Sequence, residues 1–376
     1  MAGIYIHVPF CKTRCIYCDF FTRTDMKQKN PYVSSICKES VLRADYLGGE
    51  TIETIYFGGG TPSQLAIEDL QLILRTLQNT FEISPQAEIT LEANPDDLNA
   101  TYIGQLLTSG FNRLSMGVQS FDDAQLKFLN RRHSAQRAVE AVKLAQEGGF
   151  KNISIDLMYG LPELTMDIWR DTLNQAIELN IQHISSYHLI YETGTKLYRL
   201  LQKGDVRSAD EELSLDMFSL LIEKLKEAGF IHYEISNFAK DGLVSRHNSS
   251  YWLDKKYLGL GPSAHSYNQI NRCWNIASIP KFIEGIKAGK PDIEEEILDT
   301  QSRYNDFILT GMRTMWGIDL SVLKEKFGQE MLDYCEDNLK KHLQSGNVIL
   351  SDNHYKITPQ GIFISDSIMS DLMYVE

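Results

Sequence analysis

The sequence predicts an α/β fold: a partial (β/α)6 barrel of the TIM type, followed by a smaller C-terminal α+β unit of winged-helix character. Three observations carry this. Strand-like and helix-like segments alternate six times from the N-terminus, which argues for a parallel sheet with helices outside. Glycine-rich and polar runs fall where those strands end, the place where such folds gather their chemistry. Beyond about residue 205 the alternation stops, and from about residue 300 a helix–helix–hairpin order takes over.

Strands are expected at 3–8, 52–57, 87–92, 113–118, 153–158 and 183–190. Between them lie amphipathic stretches at 65–81, 135–146 and 166–179. The second of these sets Ala138, Val139, Val142 and Ala145 on one face, and Gly148-Gly149 then ends it. A helix over 211–228 and an added strand over 231–236 come next, followed by a loop-rich section that reaches to about residue 299. The last part has helices near 306–314, 320–327 and 331–345, then a hairpin at 348–350 and 355–357. The expected division is a core over 1–205, a barrel extension over 206–299 and a C-terminal domain over 300–376. No low-complexity tract and no repeat beyond the βα alternation is present.

A chain of 376 residues with 43% hydrophobic content has enough apolar material for a large core, so disorder is excluded. No apolar run reaches the roughly 18–20 residues that a membrane-spanning helix needs. The net charge of −13 repels phosphate backbones, which excludes nucleic acid as a default partner. A winged-helix order would otherwise point to DNA, but residues 301–376 hold 7 Lys and Arg against 11 Asp and Glu. That unit reads as a lid or docking domain. Six cysteines are sparse for a disulfide framework, so the expectation is a reducing, cytoplasmic setting.

The loop after the first strand carries Cys11, Cys15 and Cys18 at C-x3-C-x2-C spacing. Iron–sulfur clusters usually take four cysteines. Three thiolates on a [4Fe–4S] cube would leave one iron open, and an open position marks a metal that acts on a bound molecule. A structural zinc site would want a fourth ligand close by, for which His7 is the near candidate; unrelated thiols are the other alternative. Gly58-Gly59-Gly60-Thr61-Pro62 follows the second strand. It lets backbone approach a ligand and offers N–H groups to a carboxylate, though a tight turn explains it about as well. Glu92 ends the third strand, Gln119 ends the fourth, and Asp156 lies within the fifth.

Taken together, Tyr5-Ile-His-Val-Pro-Phe-Cys11, the cysteine spacing, Phe57–Pro62, Leu114-Ser-Met-Gly-Val-Gln119 and Ile155-Asp-Leu-Met-Tyr-Gly-Leu-Pro162 resemble the radical S-adenosylmethionine enzymes. The nearest branch contains oxygen-independent coproporphyrinogen III dehydrogenase and its heme-chaperone relatives, and the resemblance covers nearly the whole chain. The dehydrogenase has a further cysteine two residues beyond the third; here that position is Phe20. The run His247-Asn248-Ser-Ser-Tyr251-Trp252 is similar to the H-N-x-x-Y-W heme-binding signature of the chaperones. Both features favour a heme chaperone over porphyrin synthesis.

The resemblance implies that Cys11, Cys15 and Cys18 ligate a [4Fe–4S] cluster whose fourth iron takes S-adenosyl-L-methionine, the source of a 5′-deoxyadenosyl radical on reduction. It implies that Tyr5, Gly59 and Glu92 hold that molecule. Tyr17, Gly60, Thr61, Gln119, Arg131 and Asp156 match positions that hold a second one in the dehydrogenase. His247, Asn248, Tyr251 and Trp252 are the implied heme-binding residues, with His265 and the Gly259–Gly261 glycines shaping the pocket. Bland readings stand beside these: Glu92 and Asp156 as carboxylates that cap helices or pair with Arg131, and Tyr251-Trp252 as a hydrophobic plug. The expected partners are heme and a heme-accepting protein, with a cluster-dependent homodimer and peripheral membrane contact left open.

Overall fold

The computed structural model describes residues 2–375. At its centre are β1 (Ala2–Val8), β2 (Ile52–Gly59), β3 (Ile83–Ala93), β4 (Arg113–Gln119), β5 (Ile153–Tyr159) and β6 (His183–His188). They lie side by side in chain order, each parallel to the next. Strands covered on both faces read as near-continuous apolar runs, and β1 accordingly buries every residue except Tyr5. The helices between them present one apolar face to the sheet. Ile67–Thr80 buries Ile67, Leu70, Ile73, Leu74 and Leu77, at helical spacing. Ala135–Gly148 starts where Ser134 Oγ accepts the Arg137 N–H, and it stops at Gly149, whose φ of 117° suits glycine.

The section after residue 205 extends both edges of this sheet. β7 (Ile231–Glu234) and β8 (Asn237–Ala239) form a hairpin that adds antiparallel to β6. The single strand expected at 231–236 is therefore two, because the chain reverses at Ile235-Ser236. On the other edge, β9 (Lys256–Leu260) pairs parallel with β1, and β10 (His265–Tyr267), β11 (Asn271–Asn275) and β12 (Ile293–Ile297) continue antiparallel. These four strands replace what reads in sequence as loop. They are short, and Gly259, Gly261 and Pro262 interrupt any alternation. The sheet has 12 strands and is open, with β12 and β7 as its edges.

The C-terminal part has its own sheet, ordered β13 (Ile318–Asp319), β15 (His354–Ile357), β14 (Val348–Ser351). Tyr304, Ile308, Leu323, Cys335, Leu339 and Ile368 make a core separate from that of the barrel. The two expected helices meet as Leu320–Gln344, broken at Gly328, where φ is 86°. The helix expected at 306–314 begins earlier, at Thr300, where Asp299 caps it.

Candidate cofactor and ligand cavities

The cysteine loop is tied down at many points. Cys11 N–H donates to Arg23 O (3.0 Å), Arg23 N–H donates to Pro9 O (2.7 Å), and His7 Nε2 pairs with Phe21 O (2.9 Å). Cys11, Cys15 and Cys18 border one cavity of about 510 Å3 at the C-terminal ends of the parallel strands. Among the described residues no three His, Cys, Asp or Glu side chains converge tightly enough to hold a single metal ion. The three thiols share this one cavity.

The surroundings of the thiols fit a cluster. Thr61 Oγ1 donates to Cys11 Sγ (3.4 Å), and Arg131 Nη1 donates to Cys15 Sγ (3.3 Å). Gly60 is a cradle: a Cβ there would sit 2.7 Å from Val8 O and 3.1 Å from Cys11 Sγ. Burial pushes the Cys11 thiol up and that of Cys18 up to about 11, so metal binding must release protons from them. Arg131 lines this cavity, and its Nε is a buried donor without a partner.

The residues implied for S-adenosylmethionine are brought together here with one exception. Tyr17, Gly59, Gly60 and Thr61 line the thiol cavity, as do Glu92, Gln119, Arg131 and Asp156. Tyr5 does not; it borders a second cavity described below. The triple glycine acts differently from the expectation of free N–H groups. Gly59 N–H donates to Glu92 Oε2 (3.1 Å), Gly60 N–H to Val8 O (2.9 Å) and Thr61 N–H to Phe10 O (2.8 Å). Those donors bind the cysteine loop and the strand end, so the glycines serve close approach instead. At Gly59, φ is 102° and a Cβ would strike the His7 ring.

Glu92 also accepts from Tyr56 O–H (2.8 Å). Burial, then the neighbouring Asp156, pushes Glu92 up to about 7; burial pushes Asp156 up to about 6. Two carboxyls held at the edge of ionisation suit a cationic ligand better than a helix cap. Neither caps a helix. Tyr56 was missed in sequence; it pairs with Thr90, two residues before Glu92 on the neighbouring strand.

The second cavity, about 990 Å3, opens between the barrel and the C-terminal part. Its walls are aromatic, with Phe20, Tyr251, Trp252, Tyr257 and Phe307 among them. Asp19 and Phe20 line both cavities, so Phe20, two residues beyond Cys18, stands on the shared wall. The helix Arg246–Trp252 starts at Ser245, whose Oγ accepts the Asn248 N–H (3.4 Å). It carries Tyr251 and Trp252 onto the wall, while Asn248 and His247 stay behind it. His247 is buried, with Nδ1 paired to Thr54 Oγ1 (2.7 Å) and Nε2 to Tyr251 O–H (2.8 Å). Burial and then Arg113 hold its imidazole down at about 3. With both nitrogens engaged, His247 orients Tyr251 rather than facing a ligand.

A three-thiol loop at the strand ends of an open parallel barrel defines a radical S-adenosylmethionine protein, and residues 5–176 match the model of the radical SAM superfamily. Residues 298–364 match the HemN C-terminal domain. The chain is 33% identical to the heme chaperone HemW of Bacillus subtilis (strain 168) over 98% of each chain. It is 34% identical to that of Mycobacterium tuberculosis (strain ATCC 25618 / H37Rv) over 90% of each. The chain belongs to the HemW family. Radical S-adenosyl methionine domain-containing protein 1, mitochondrial, of Bos taurus is 36% identical over 70% of this chain and 60% of its own. The solved coproporphyrinogen III oxidase (HemN) of Escherichia coli superposes with a TM-score of 0.86, covering 99% of this chain and 90% of that one. At 22% identity that likeness concerns the fold alone.

Proposed function

We propose that the protein is a heme chaperone that takes heme into the aromatic cavity and passes it to an acceptor protein. One observation carries this reading: a cavity of about 990 Å3 with aromatic walls, large for a small-molecule site, sharing Phe20 with the thiol cavity. Family membership supports it, since the relatives that match almost end to end are named heme chaperones. In this reading Cys11, Cys15 and Cys18 hold a [4Fe–4S] cluster, and S-adenosyl-L-methionine binds beside it. When bound, the pair supplies reductive cleavage of a sulfonium bond. Glu92 and Asp156 receive the ligand's positive charge, and Arg131 faces the anionic side. Residues 1–205 form the cofactor core and 206–299 supply Tyr251 and Trp252. Residues 300–376 cover the heme cavity as a lid, with His247 and Asn248 shaping it from behind.

No helix among the described residues is long and apolar enough to cross a membrane. The proposed setting is the cytoplasm, with any membrane contact peripheral and dimerisation governed by the cluster. Titration with ferric heme tests the reading. The expected result is a saturating Soret shift, weakened roughly tenfold by the pair Tyr251→Ala and Trp252→Ala, because stacking area on the macrocycle is lost. An unchanged titration in that pair would contradict it.

A further inference from the structure

His265 opens β10 on the wall of the aromatic cavity, and it is exposed there. Its position is built. Gly259 on β9 lies so close that a Cβ would meet His265 O at 2.0 Å. At Gly261, φ is 99° and a Cβ would meet His7 O at 2.7 Å. The buried Glu39 fixes the same turn, accepting from Gly261 N–H (2.8 Å) and Asn275 Nδ2 (2.6 Å). Trp274, its partner across β11, stacks on the imidazole at 5.7 Å. The ring is thus held by its face while neither nitrogen makes a hydrogen bond among the described residues.

The other imidazole on this wall and most of its phenols are committed. His7 uses both nitrogens, on Tyr5 O–H (3.2 Å) and Phe21 O (2.9 Å). Tyr251 O–H is taken by His247, and Tyr267 O–H donates to Asp254 (2.6 Å). Tyr257 alone has a hydroxyl without a hydrogen-bond partner among the described residues, but burial raises its pKa, which keeps it a phenol rather than the anionic ligand iron prefers. Burial and Arg272 lower the pKa of His265, which keeps its imidazole neutral. The cations on the wall divide in the same way. Arg272 pairs with Asp306 and Lys326 with Asp254, whereas Arg303 makes no ion pair among the described residues and reaches only Thr300 Oγ1 (3.5 Å).

Resting on the reading of heme as cargo, we propose that His265 is the protein's axial ligand to heme iron and that Arg303 receives a heme carboxylate. An aromatic slot supplies the faces of the macrocycle, an unengaged imidazole supplies the metal bond, and an unpaired guanidinium supplies the anchor. His247 holds the wall and does not touch iron.

Ferric heme titration of the full chain, followed by absorbance and magnetic circular dichroism, tests this. The wild-type complex shows the charge-transfer signature of an imidazole-ligated iron. His265→Ala loses that signature and weakens binding by roughly tenfold or more, and imidazole added to solution restores the signature. Arg303→Ala weakens binding while keeping the signature. Survival of the signature in His265→Ala, or its loss in Tyr257→Phe, overturns the proposal. A wild-type protein with no heme band fails the cargo reading itself, a result distinct from either.

Discussion

Glu92 and Asp156 are the residues whose chemistry depends most on where the chain puts them. In water both would be ionised well below neutrality, whereas burial lifts them to about 7 and about 6. The folded protein therefore holds more protons than the unfolded chain across that window. Its stability falls as pH rises from roughly 4 to 7, the opposite of the usual salt-bridged carboxylate. A cationic ligand favours the ionised forms, so its binding expels a proton. Calorimetric titration with S-adenosyl-L-methionine is expected to show affinity rising between about pH 6 and about pH 7.5, by less than about tenfold per unit, with proton release scaling with buffer ionisation enthalpy. Glu92→Gln is expected to flatten that dependence. An affinity that falls with pH in this window would contradict the placement of the ligand's positive charge.

Among the elements, the helix Lys29–Leu42 shows how the site depends on parts that never touch it. Its Glu39 is fully buried, 3.5 Å from Arg43 Nη1, and Arg43 in turn donates to Gly259 O and Ser266 Oγ, both 3.0 Å away. This pair locks the turn between β9 and β10 that presents His265. Removing one member of a buried pair strands the other, so Glu39→Ala is expected to cost about 3–5 kcal/mol in denaturant unfolding, with Glu39→Gln milder. A loss under about 1 kcal/mol would mean the turn is held by something else. That helix was illegible in sequence because its apolar stripe, Tyr32, Val33 and Ile36, gives way after one turn to the buried polar residues Glu39 and Ser40. The six central strands were more legible: burial on both faces favours apolar runs, and β2, β4 and β6 end in glycine or a polar residue. The gap expected between residues 327 and 331 contains Gly328, where the structure breaks the C-terminal helix. The short strands β9 to β12 were hidden because glycine and proline punctuate them. The thiol loop was readable from motif spacing, but the engagement of His247 Nδ1 was not, since it arises from Thr54, a residue far off in sequence.

Across the whole molecule, charge pairs fasten the C-terminal part over the aromatic cavity. Arg313 reaches the buried Glu234 of β7 (2.9 Å) and lies 3.8 Å over the Trp252 ring, while Arg272–Asp306 and Lys326–Asp254 close the other side. The half-exposed pairs among them are worth little individually. The two cavities meet at Phe20, which is 61% exposed. On the proposed reading, that side chain stands between the cluster site and the heme site. The central claim is that this scaffold carries heme instead of making porphyrin. The direct measurement is anaerobic incubation of cluster-reconstituted protein with reductant, S-adenosyl-L-methionine and coproporphyrinogen III, run beside a heme titration. The account predicts saturable heme binding and no accumulating protoporphyrinogen IX; sustained formation of protoporphyrinogen IX, with no saturable heme binding, would contradict it.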